Sequence, residues 1–296
     1  MDLTPWSADR LELGEGGRWT GDRLILVDLL AGRLLSAAAT APASAEPSGR
    51  LAEVRRLDVP LGAVAPVAGR PGEWLAAAGI GVELLLPDGG RRAIATLPGA
   101  RTGVDRVNDA VADPHGRFWV GTMTYAAVPG AGVLFRLGPD GTPVPVVTGL
   151  TIPNGPAFDA AGTTMYLADT TLGHVDRFAV DPGTGALSGR EPFLRLGDGE
   201  GKPDGMTVDA AGHLWVALHG GSAVRRYRPD GAPDREIRLP AAQPTSVCLG
   251  GPDLRRLFIT SATQGLREPA PLDGALFAVD VPDPGRPGAE ATRPTP

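Results

Sequence analysis

Short apolar segments recur along the chain at a nearly constant spacing. Each is five residues long, is rich in aliphatic or aromatic side chains, and follows a stretch rich in Asp, Gly or Pro. This length and composition predict buried β-strands rather than helices. The segments are LILVD (24–28), WLAAA (74–78), FWVGT (118–122), MYLAD (165–169), LWVAL (214–218) and LFITS (257–261).

Further strands flank each of these segments. Another short apolar strand precedes each turn, and a third strand follows, often ending at a tight turn as in GVLFRLGPDG. Asp-Gly steps suit hairpins, because Gly tolerates positive φ and Asp is turn-prone. The repeat of about 45 residues holds three or four strands, and six such repeats predict an all-β fold, a six-bladed β-propeller; the central metal site is predicted below from its polar residues. A two-sheet sandwich is the alternative, and the regular spacing argues against it.

The repeats predict a single domain over residues 1–296. Two segments lie outside the repeat pattern. Residues 36–50 are predicted to be a surface loop, and residues 282–296 a loose C-terminal tail with little apolar content.

Composition and charge exclude several classes of partner. The net charge is −6, and no run of Lys and Arg is present to neutralise phosphates, so nucleic acid is not expected. The N-terminal residues do not resemble a signal peptide, and no apolar stretch approaches the roughly 18 residues of a membrane span. The sequence therefore predicts a cytoplasmic location and no membrane partner. A monomer or weak homodimer that acts on a small-molecule substrate is a separate expectation, and the substrate depends on the resemblance described below.

Polar side chains recur at one position of the repeat. Four repeats carry an oxygen-bearing side chain nine to eleven residues before the second strand, namely Glu15, Asn108, Asn154 and Asp204. The innermost strands of a propeller surround its axis, so equivalent positions converge. Carboxylates that converge in a narrow channel repel each other unless a cation is present, and oxygen ligands suit Ca²⁺, Mg²⁺ or Mn²⁺. The alternative is that these residues only cap the turns at which strands begin.

Loops after the second strands are expected to frame the mouth of this channel. Among their residues, Tyr125 and His219 are the candidates for substrate contact, and a surface role for His219 is the alternative. The chain contains no GxSxG elbow, no HExxH motif and no P-loop.

Five motifs in order resemble the senescence-marker-protein (SMP-30)/gluconolactonase family, which includes the regucalcins. The resemblance covers the chain from about residue 11 to about residue 281. The motifs are LGEGGRW (13–19), RVNDAVADPHGRFWVGTM (106–123), IPNGPAFD (152–159), PDGMTVDAAGHLWVA (203–217) and LFITSATQGL (257–266).

The resemblance implies a lactone hydrolase with one divalent cation held by Glu15, Asn154 and Asp204. Ca²⁺ is the expected ion, with Zn²⁺, Mg²⁺ and Mn²⁺ as alternatives. By the same resemblance Asp204 is the candidate catalytic base, Arg106 contacts substrate, and Asn108 lies close to metal or substrate. The cation would polarise the lactone carbonyl, and the attacking water would be activated by the metal or by Asp204.

One departure from the family pattern concerns the substrate. Sugar lactonases of the family often carry Glu directly after Gly-Thr-Met, whereas this chain continues with Thr124, Tyr125 and Ala126. We therefore expect a substrate less hydroxylated than gluconolactone. Two other functions remain open. The same site could catalyse phosphotriester hydrolysis or a biosynthetic ring opening or rearrangement, or the propeller could bind a ligand without catalysis.

Overall fold

The computed structural model describes residues 3–7, 9–38 and 50–295. Within these ranges the chain forms strands and turns and no helix, so it contains no helix long and apolar enough to cross a membrane. The strands in chain order are β1 (Thr4–Pro5), β2 (Gly14–Trp19), β3 (Arg23–Asp28), β4 (Arg33–Ala38), β5 (Ala52–Arg56), β6 (Leu61–Pro66), β7 (Trp74–Ala78), β8 (Gly81–Leu85), β9 (Arg91–Thr96), β10 (Asp105–Ala112), β11 (Phe118–Thr124), β12 (Gly132–Leu137), β13 (Pro143–Leu150), β14 (Pro153–Phe158), β15 (Thr164–Asp169), β16 (His174–Val180), β17 (Leu187–Arg195), β18 (Lys202–Val208), β19 (Leu214–His219), β20 (Ala223–Tyr227), β21 (Pro233–Arg238), β22 (Pro244–Gly250), β23 (Arg256–Ser261) and β24 (Phe277–Asp280).

The described strands form six four-stranded antiparallel sheets, which we call blades 1 to 6 in chain order. Blades 1 to 5 each contain four consecutive strands, from β2–β5 to β18–β21. Blade 6 is completed by the N-terminus, because β1 pairs with β24 and places Thr4 opposite Ala278. The repeat inferred from the sequence is therefore the four-stranded blade.

The six predicted second strands are all observed. They correspond to β3, β7, β11, β15, β19 and β23, with ends that differ by no more than two residues from the predicted segments. Their side chains are almost entirely buried on both faces, which explains why these segments are continuously apolar instead of alternating.

The chain divides into two compact units. Unit 1 comprises Met1–Leu57 and Leu196–Gly288, and therefore holds blades 1, 5 and 6. Part of its core is an aromatic cluster in which Phe258 packs edge-on against Trp6, at 5.1 Å between ring centroids, and stacks on Trp19 at 5.8 Å. Such pairs contribute about 0.5–1.5 kcal/mol each beyond the area they bury.

Unit 2 comprises Asp58–Arg195 and Ala289–Pro296 and holds blades 2, 3 and 4. Its turns show why Asp and Trp recur in the repeat. Asp113 is fully buried, and its Oδ2 accepts a hydrogen bond from Nε1 of Trp119 at 3.0 Å. The same contact occurs in unit 1, where Nε1 of Trp215 donates to Asp209 at 3.1 Å. The turn carboxylate thus fixes the indole that fills the blade.

The structure differs from the sequence prediction in the two segments outside the repeats. Ser36 and Ala37 belong to β4, and Ala37 is buried, so the strand takes the first residues of the predicted loop. Residues 39–49 lie outside the described part of the chain. The predicted tail is not loose over residues 289–295. Ala291 is fully buried and forms a bridge with Val67, because its backbone N–H donates to Pro66 and its carbonyl accepts from Ala68.

Candidate active site

The first strand of every described blade contains a β-bulge. In unit 1 the pairing shifts between Glu15 and Arg18 in β2, between Pro203 and Met206 in β18, and between Pro244 and Ser246 in β22. A bulge leaves residues unpaired and redirects their side chains, and bulges are frequent beside active sites. Two of the three bulges contain or adjoin predicted ligands, Glu15 and Asp204.

Unit 2 repeats this arrangement. The pairing shifts between Leu61 and Ala63 in β6, between Val107 and Ala110 in β10, and between Asn154 and Ala157 in β14. The bulge of β10 contains Asn108 and Asp109, and the bulge of β14 adjoins Asn154. The position identified in four repeats therefore lies in or beside the bulge of the first strand, a backbone feature that the sequence did not predict.

In unit 1 the two predicted carboxylate ligands lie on strands that flank the same neighbour. Both β2 and β18 pack against β22. Glu15 and Asp204 are 5% and 4% exposed, respectively, so both carboxylates are almost removed from water. Oε2 of Glu15 accepts a hydrogen bond from the N–H of Gly16 at 3.2 Å. Two buried acidic side chains, on the strands that flank β22, are costly unless hydrogen bonds or a cation stabilise their charge.

The approach of β18 to β22 beside Asp204 requires glycine at position 205. A Cβ atom on Gly205 would lie 2.7 Å from Cα of Ser246, and a Cβ atom on Gly17 would lie 3.9 Å from Oγ of the same serine. Ser246 of β22 is thus close to Gly205, which follows Asp204 in β18, and to Gly17, which lies in the bulge of β2 that begins after Glu15. Gly205 lets β18 approach β22 at a distance that any side chain would prevent.

In unit 2 the predicted substrate-binding residues form a hydrogen-bonded pair. Nη1 of Arg106 donates to Oδ1 of Asn108 at 2.8 Å and to the carbonyl of Val107 at 2.9 Å. Nδ2 of Asn108 in turn donates to the carbonyl of Pro153 at 3.1 Å. Both side chains are buried, so the guanidinium is held in one orientation by the asparagine and by its own strand.

Asn154 is fixed on the neighbouring strand. Its Nδ2 donates to Oγ1 of Thr170 at 3.2 Å, and its Oδ1 accepts from the N–H of Gly155 at 3.1 Å. Gly155 has φ of 51°, a left-handed conformation that glycine adopts without strain. The bulge therefore orients the Asn154 amide while leaving it almost fully buried.

Asp109 is a residue of this site that the sequence analysis missed. Its Oδ2 accepts from the N–H of Gly155 at 3.0 Å and its Oδ1 from the N–H of Ala110 at 2.7 Å, so it joins β10 to the bulge of β14. It is 6% exposed. The feature of the sequence that points to Asp109 is its position directly after Asn108, since the other residues of 107–112 are Val and Ala.

The other two predicted residues lie at the ends of second strands. Tyr125 follows β11, is 50% exposed, and donates its backbone N–H to the carbonyl of Val104. His219 is the last residue of β19, pairs with Lys202 at the start of β18, and is partly buried. Burial lowers the pKa of His219, which keeps its imidazole neutral at pH 7.

In unit 1 the structure thus places Glu15 and Asp204 on the two strands that flank β22, with His219 at the end of the strand paired to β18. In unit 2 it brings Arg106, Asn108 and Asn154 onto neighbouring strands β10 and β14. Among the described residues no three His, Cys, Asp or Glu side chains cluster as a metal site. The predicted ligands Glu15, Asn154 and Asp204 include only two residues of these four types, so they would not form a group of three.

Comparisons with known proteins identify the family to which the chain is similar. A family model described as the SMP-30/gluconolactonase/LRE-like region matches residues 13–263. Pentonolactonase XacC of Haloferax volcanii is 38% identical over an alignment 295 residues long, and the alignment covers 93% of this chain and 93% of that protein. A 6-deoxy-6-sulfogluconolactonase of Pseudomonas putida is 39% identical over an alignment that covers 61% of this chain and 63% of that protein.

The fold is also found among solved structures. The calcium-binding protein regucalcin of Agrobacterium tumefaciens is 29% identical, covers 98% of this chain and 97% of its own, and superimposes with a TM-score of 0.88. This similarity confirms the fold class predicted from the repeats, an all-β six-bladed propeller.

Proposed function

The chain belongs to the SMP-30/gluconolactonase/LRE-like family, and from this premise we propose that it hydrolyses the ester bond of a lactone ring. The observation that carries the proposal is the pair of buried carboxylates in unit 1, Glu15 and Asp204, on bulged strands that both pack against β22. The relative that aligns over nearly the whole chain is a pentonolactonase, which supports the same reaction.

We further propose that the activity requires one divalent cation. Carboxylate oxygens are the ligands that Ca²⁺ and Mg²⁺ prefer, and two buried carboxylates supply the charge that such an ion neutralises. Ca²⁺ is our first candidate, because the structurally similar regucalcin is described as calcium-binding, with Zn²⁺, Mg²⁺ and Mn²⁺ as alternatives. Glu15 and Asp204 would hold the ion. That Asn154 is a further ligand of the cation stays a prediction from the sequence.

The proposed reaction assigns a task to each group. When bound, the cation would polarise the lactone carbonyl and stabilise the negative charge that develops on its oxygen. Asp204 would accept a proton from the attacking water and pass it to the ring oxygen as the ester bond breaks. Arg106, held by Asn108, would donate hydrogen bonds to substrate oxygens. Tyr125 and His219 remain proposed contacts to the substrate.

For the substrate we propose a lactone less hydroxylated than gluconolactone, such as a pentonolactone. The hydroxyl of Thr124 is occupied within its own loop, because it accepts a hydrogen bond from the N–H of Val128 at 2.8 Å, and the residue is 3% exposed. Tyr125, which follows it, presents an aromatic ring. Neither residue replaces the carboxylate that related sugar lactonases are expected to have after Gly-Thr-Met, so one contact to sugar hydroxyls is missing.

The proposal is tested by acid release in a pH-stat. Chelated protein would be assayed with a pentonolactone, gluconolactone and a phosphotriester, each with Ca²⁺, Mg²⁺, Mn²⁺ or Zn²⁺ added back. We expect turnover of lactones that one cation restores, with kcat/KM higher for the pentonolactone. Turnover of the phosphotriester and of neither lactone would show that the reaction is phosphotriester hydrolysis. Turnover of lactones that chelation does not affect would show that no cation is required.

A further inference from the structure

A cavity of about 250 Å³ lies among the turns of unit 2, apart from the bulges that carry the proposed active site. Its walls come from two turns, from strand β12 and from the C-terminal segment. The turn before β11 contributes His115 and Arg117, β12 contributes Arg136, the turn before β17 contributes Thr184, and the C-terminal segment contributes Thr292. Thr292 is held in place because its N–H donates to the carbonyl of Gly116 at 2.7 Å.

Two guanidinium groups meet at this cavity. A Cβ atom on Gly185 would lie 2.8 Å from Nη1 of Arg136 and 2.9 Å from Nη1 of Arg117, so both groups reach the same point beside the turn. Nη1 of Arg136 donates to the carbonyl of Thr184 at 2.6 Å, and Nη1 of Arg117 donates to the carbonyl of Pro182 at 3.1 Å. Backbone carbonyls hold both groups but do not neutralise their charges.

The charge balance of the cavity is positive. Nε of Arg117 donates to Oδ2 of Asp113 at 2.6 Å, so that carboxylate compensates Arg117. Across the described ranges Arg136 forms no ion pair, and its guanidinium lies 5.9 Å from the ring of Trp119. Burial and the charge of Arg117 lower the pKa of Arg136 by more than the charge of Asp113 raises it, the direction expected where like charges share a poorly hydrated space.

Nearby carboxylates are committed elsewhere. Oδ1 of Asp181 accepts from both the N–H and the hydroxyl of Thr184, and the carboxylate of Asp140 accepts from the N–H and hydroxyl of Thr142. Neither carboxylate lines the cavity, and Asp113 already serves Arg117 and Trp119. No acidic side chain of the described chain lines the cavity, and the carboxylate that acts on Arg136, Asp113, is already paired with Arg117.

One donor of the pair is also unsatisfied. Nη2 of Arg117 is buried and has no hydrogen-bond partner. Buried donors in proteins are nearly always paired, and an exception calls for an explanation such as a bound water or ion. An oxyanion beside Arg136 and Arg117 would compensate the excess charge of the two guanidinium groups.

We propose that this cavity is a binding site for a small oxyanion, a carboxylate or a phosphate, held by the guanidinium groups of Arg136 and Arg117. Planar guanidinium groups bind carboxylate and phosphate oxygens through paired, charge-assisted hydrogen bonds. The volume suits a small organic acid or a phosphate ester. The site is independent of the proposed lactonase activity, since none of its residues belongs to the proposed active site.

The test is calorimetric titration of the full chain with inorganic phosphate and, separately, with succinate, at constant ionic strength set by NaCl. We expect one saturable site for at least one of the two anions, and the tighter anion identifies the ligand chemistry. Arg136→Gln should weaken that binding by about tenfold or more, because it removes the uncompensated charge. Arg136→Lys should bind with intermediate affinity, since it keeps the charge but loses the paired donors.

The matched control is Arg177→Gln. Arg177 also lies in unit 2 and near an aromatic ring, but it pairs with Glu191 on the surface and does not line the cavity. Its replacement should leave anion affinity unchanged. Circular dichroism would verify that each variant is folded. Absence of saturable binding for both anions, or equal affinity in wild type and Arg136→Gln, would overturn the proposal.

Discussion

The carboxylate of Asp109 accepts a hydrogen bond from the backbone N–H of Gly155 at 3.0 Å. The bond joins two neighbouring blades of unit 2 at the residue directly after Asn154. Because the same carboxylate also accepts from the N–H of Ala110, Asp109 fixes the bulge of its own strand and that of the next. We therefore regard it as a positioning residue for Asn154 and Asn108.

Replacing Asp109 should lower activity by more than the accompanying loss of stability accounts for. Asp109→Asn keeps the size of the side chain but removes a charged acceptor from two backbone donors, which should cost about 1–3 kcal/mol of unfolding free energy. We expect kcat/KM for the lactone to fall about tenfold to a hundredfold, because residues that orient ligand side chains have effects of this size. Urea unfolding and steady-state kinetics provide the two measurements.

Asp159→Asn is the matched control. Asp159 also lies in unit 2 and accepts from two backbone donors, the N–H groups of Thr163 and Thr164, but in a turn between β14 and β15. It should show a smaller loss of stability, because its hydrogen bonds are more exposed to water, with nearly unchanged kcat/KM. Equal kinetic losses in the two variants would show that Asp109 has only a structural role.

The close approach of β18 to β22 predicts a second stability effect. Gly205→Ala would place a methyl group 2.7 Å from Cα of Ser246, so backbone must move. We expect a loss of about 1–3 kcal/mol in unfolding free energy, the usual cost of overpacking. Gly183→Ala is the control, because its added Cβ would meet only Oδ1 of Asp181 at 3.5 Å. Similar unfolding midpoints for both variants would contradict the tight contact.

His219 predicts a dependence of stability on pH. Burial lowers its pKa below the ordinary value of 6.5, so in acid the unfolded state binds a proton before the folded state does. The contribution of the neutral His219 side chain to the free energy of unfolding is thus complete above pH 6.5 and is lost as pH falls towards its folded-state pKa. His219→Gln should reduce the loss of unfolding free energy between pH 7 and pH 5 relative to wild type. An unchanged pH profile in this variant would show that the imidazole is not buried as described.

Much of this architecture could be predicted from the sequence, for particular physical reasons. The second strands are buried on both faces, so they form continuous apolar runs such as FWVGT, which no other local structure explains as well. The turns carry Asp and Gly at fixed distances from a Trp, because the carboxylate of Asp113 or Asp209 must reach the indole of its own blade.

Other features were not visible in the pattern. A bulge leaves no mark in hydrophobic periodicity, so the equivalence of Glu15 and Asp204 was recognised while its backbone cause was not. Asp109 was overlooked because its partner, the N–H of Gly155, is distant in sequence. The segment around Ala291 has few apolar residues, and its docking depends on backbone hydrogen bonds to residues near Val67 that composition does not reveal.

Cation binding can be measured without catalysis. If Glu15 and Asp204 are ligands, Ca²⁺ should raise the unfolding temperature of the chelated protein in a saturable way, by roughly 2–4 °C for each kcal/mol of binding free energy. Glu15→Gln should reduce this shift strongly, because it removes one of two carboxylates. Glu53→Gln is the control, since Glu53 lies exposed on β5 of the same unit and pairs with Arg33. An equal shift in Glu15→Gln and wild type would exclude Glu15 as a ligand.

The most direct test of the central claim is the initial rate of acid release from a pentonolactone by wild type, Asp204→Asn and Glu53→Gln at equal protein and cation concentrations. If Asp204 is the catalytic base at a lactone-hydrolysing site, Asp204→Asn should lower kcat/KM by about 10²–10⁴-fold. The fold of the variant should be intact, and Glu53→Gln should match wild type. Hydrolysis by Asp204→Asn at the wild-type rate would contradict the proposed site, and no hydrolysis by wild type of this or any other lactone would contradict the proposed function.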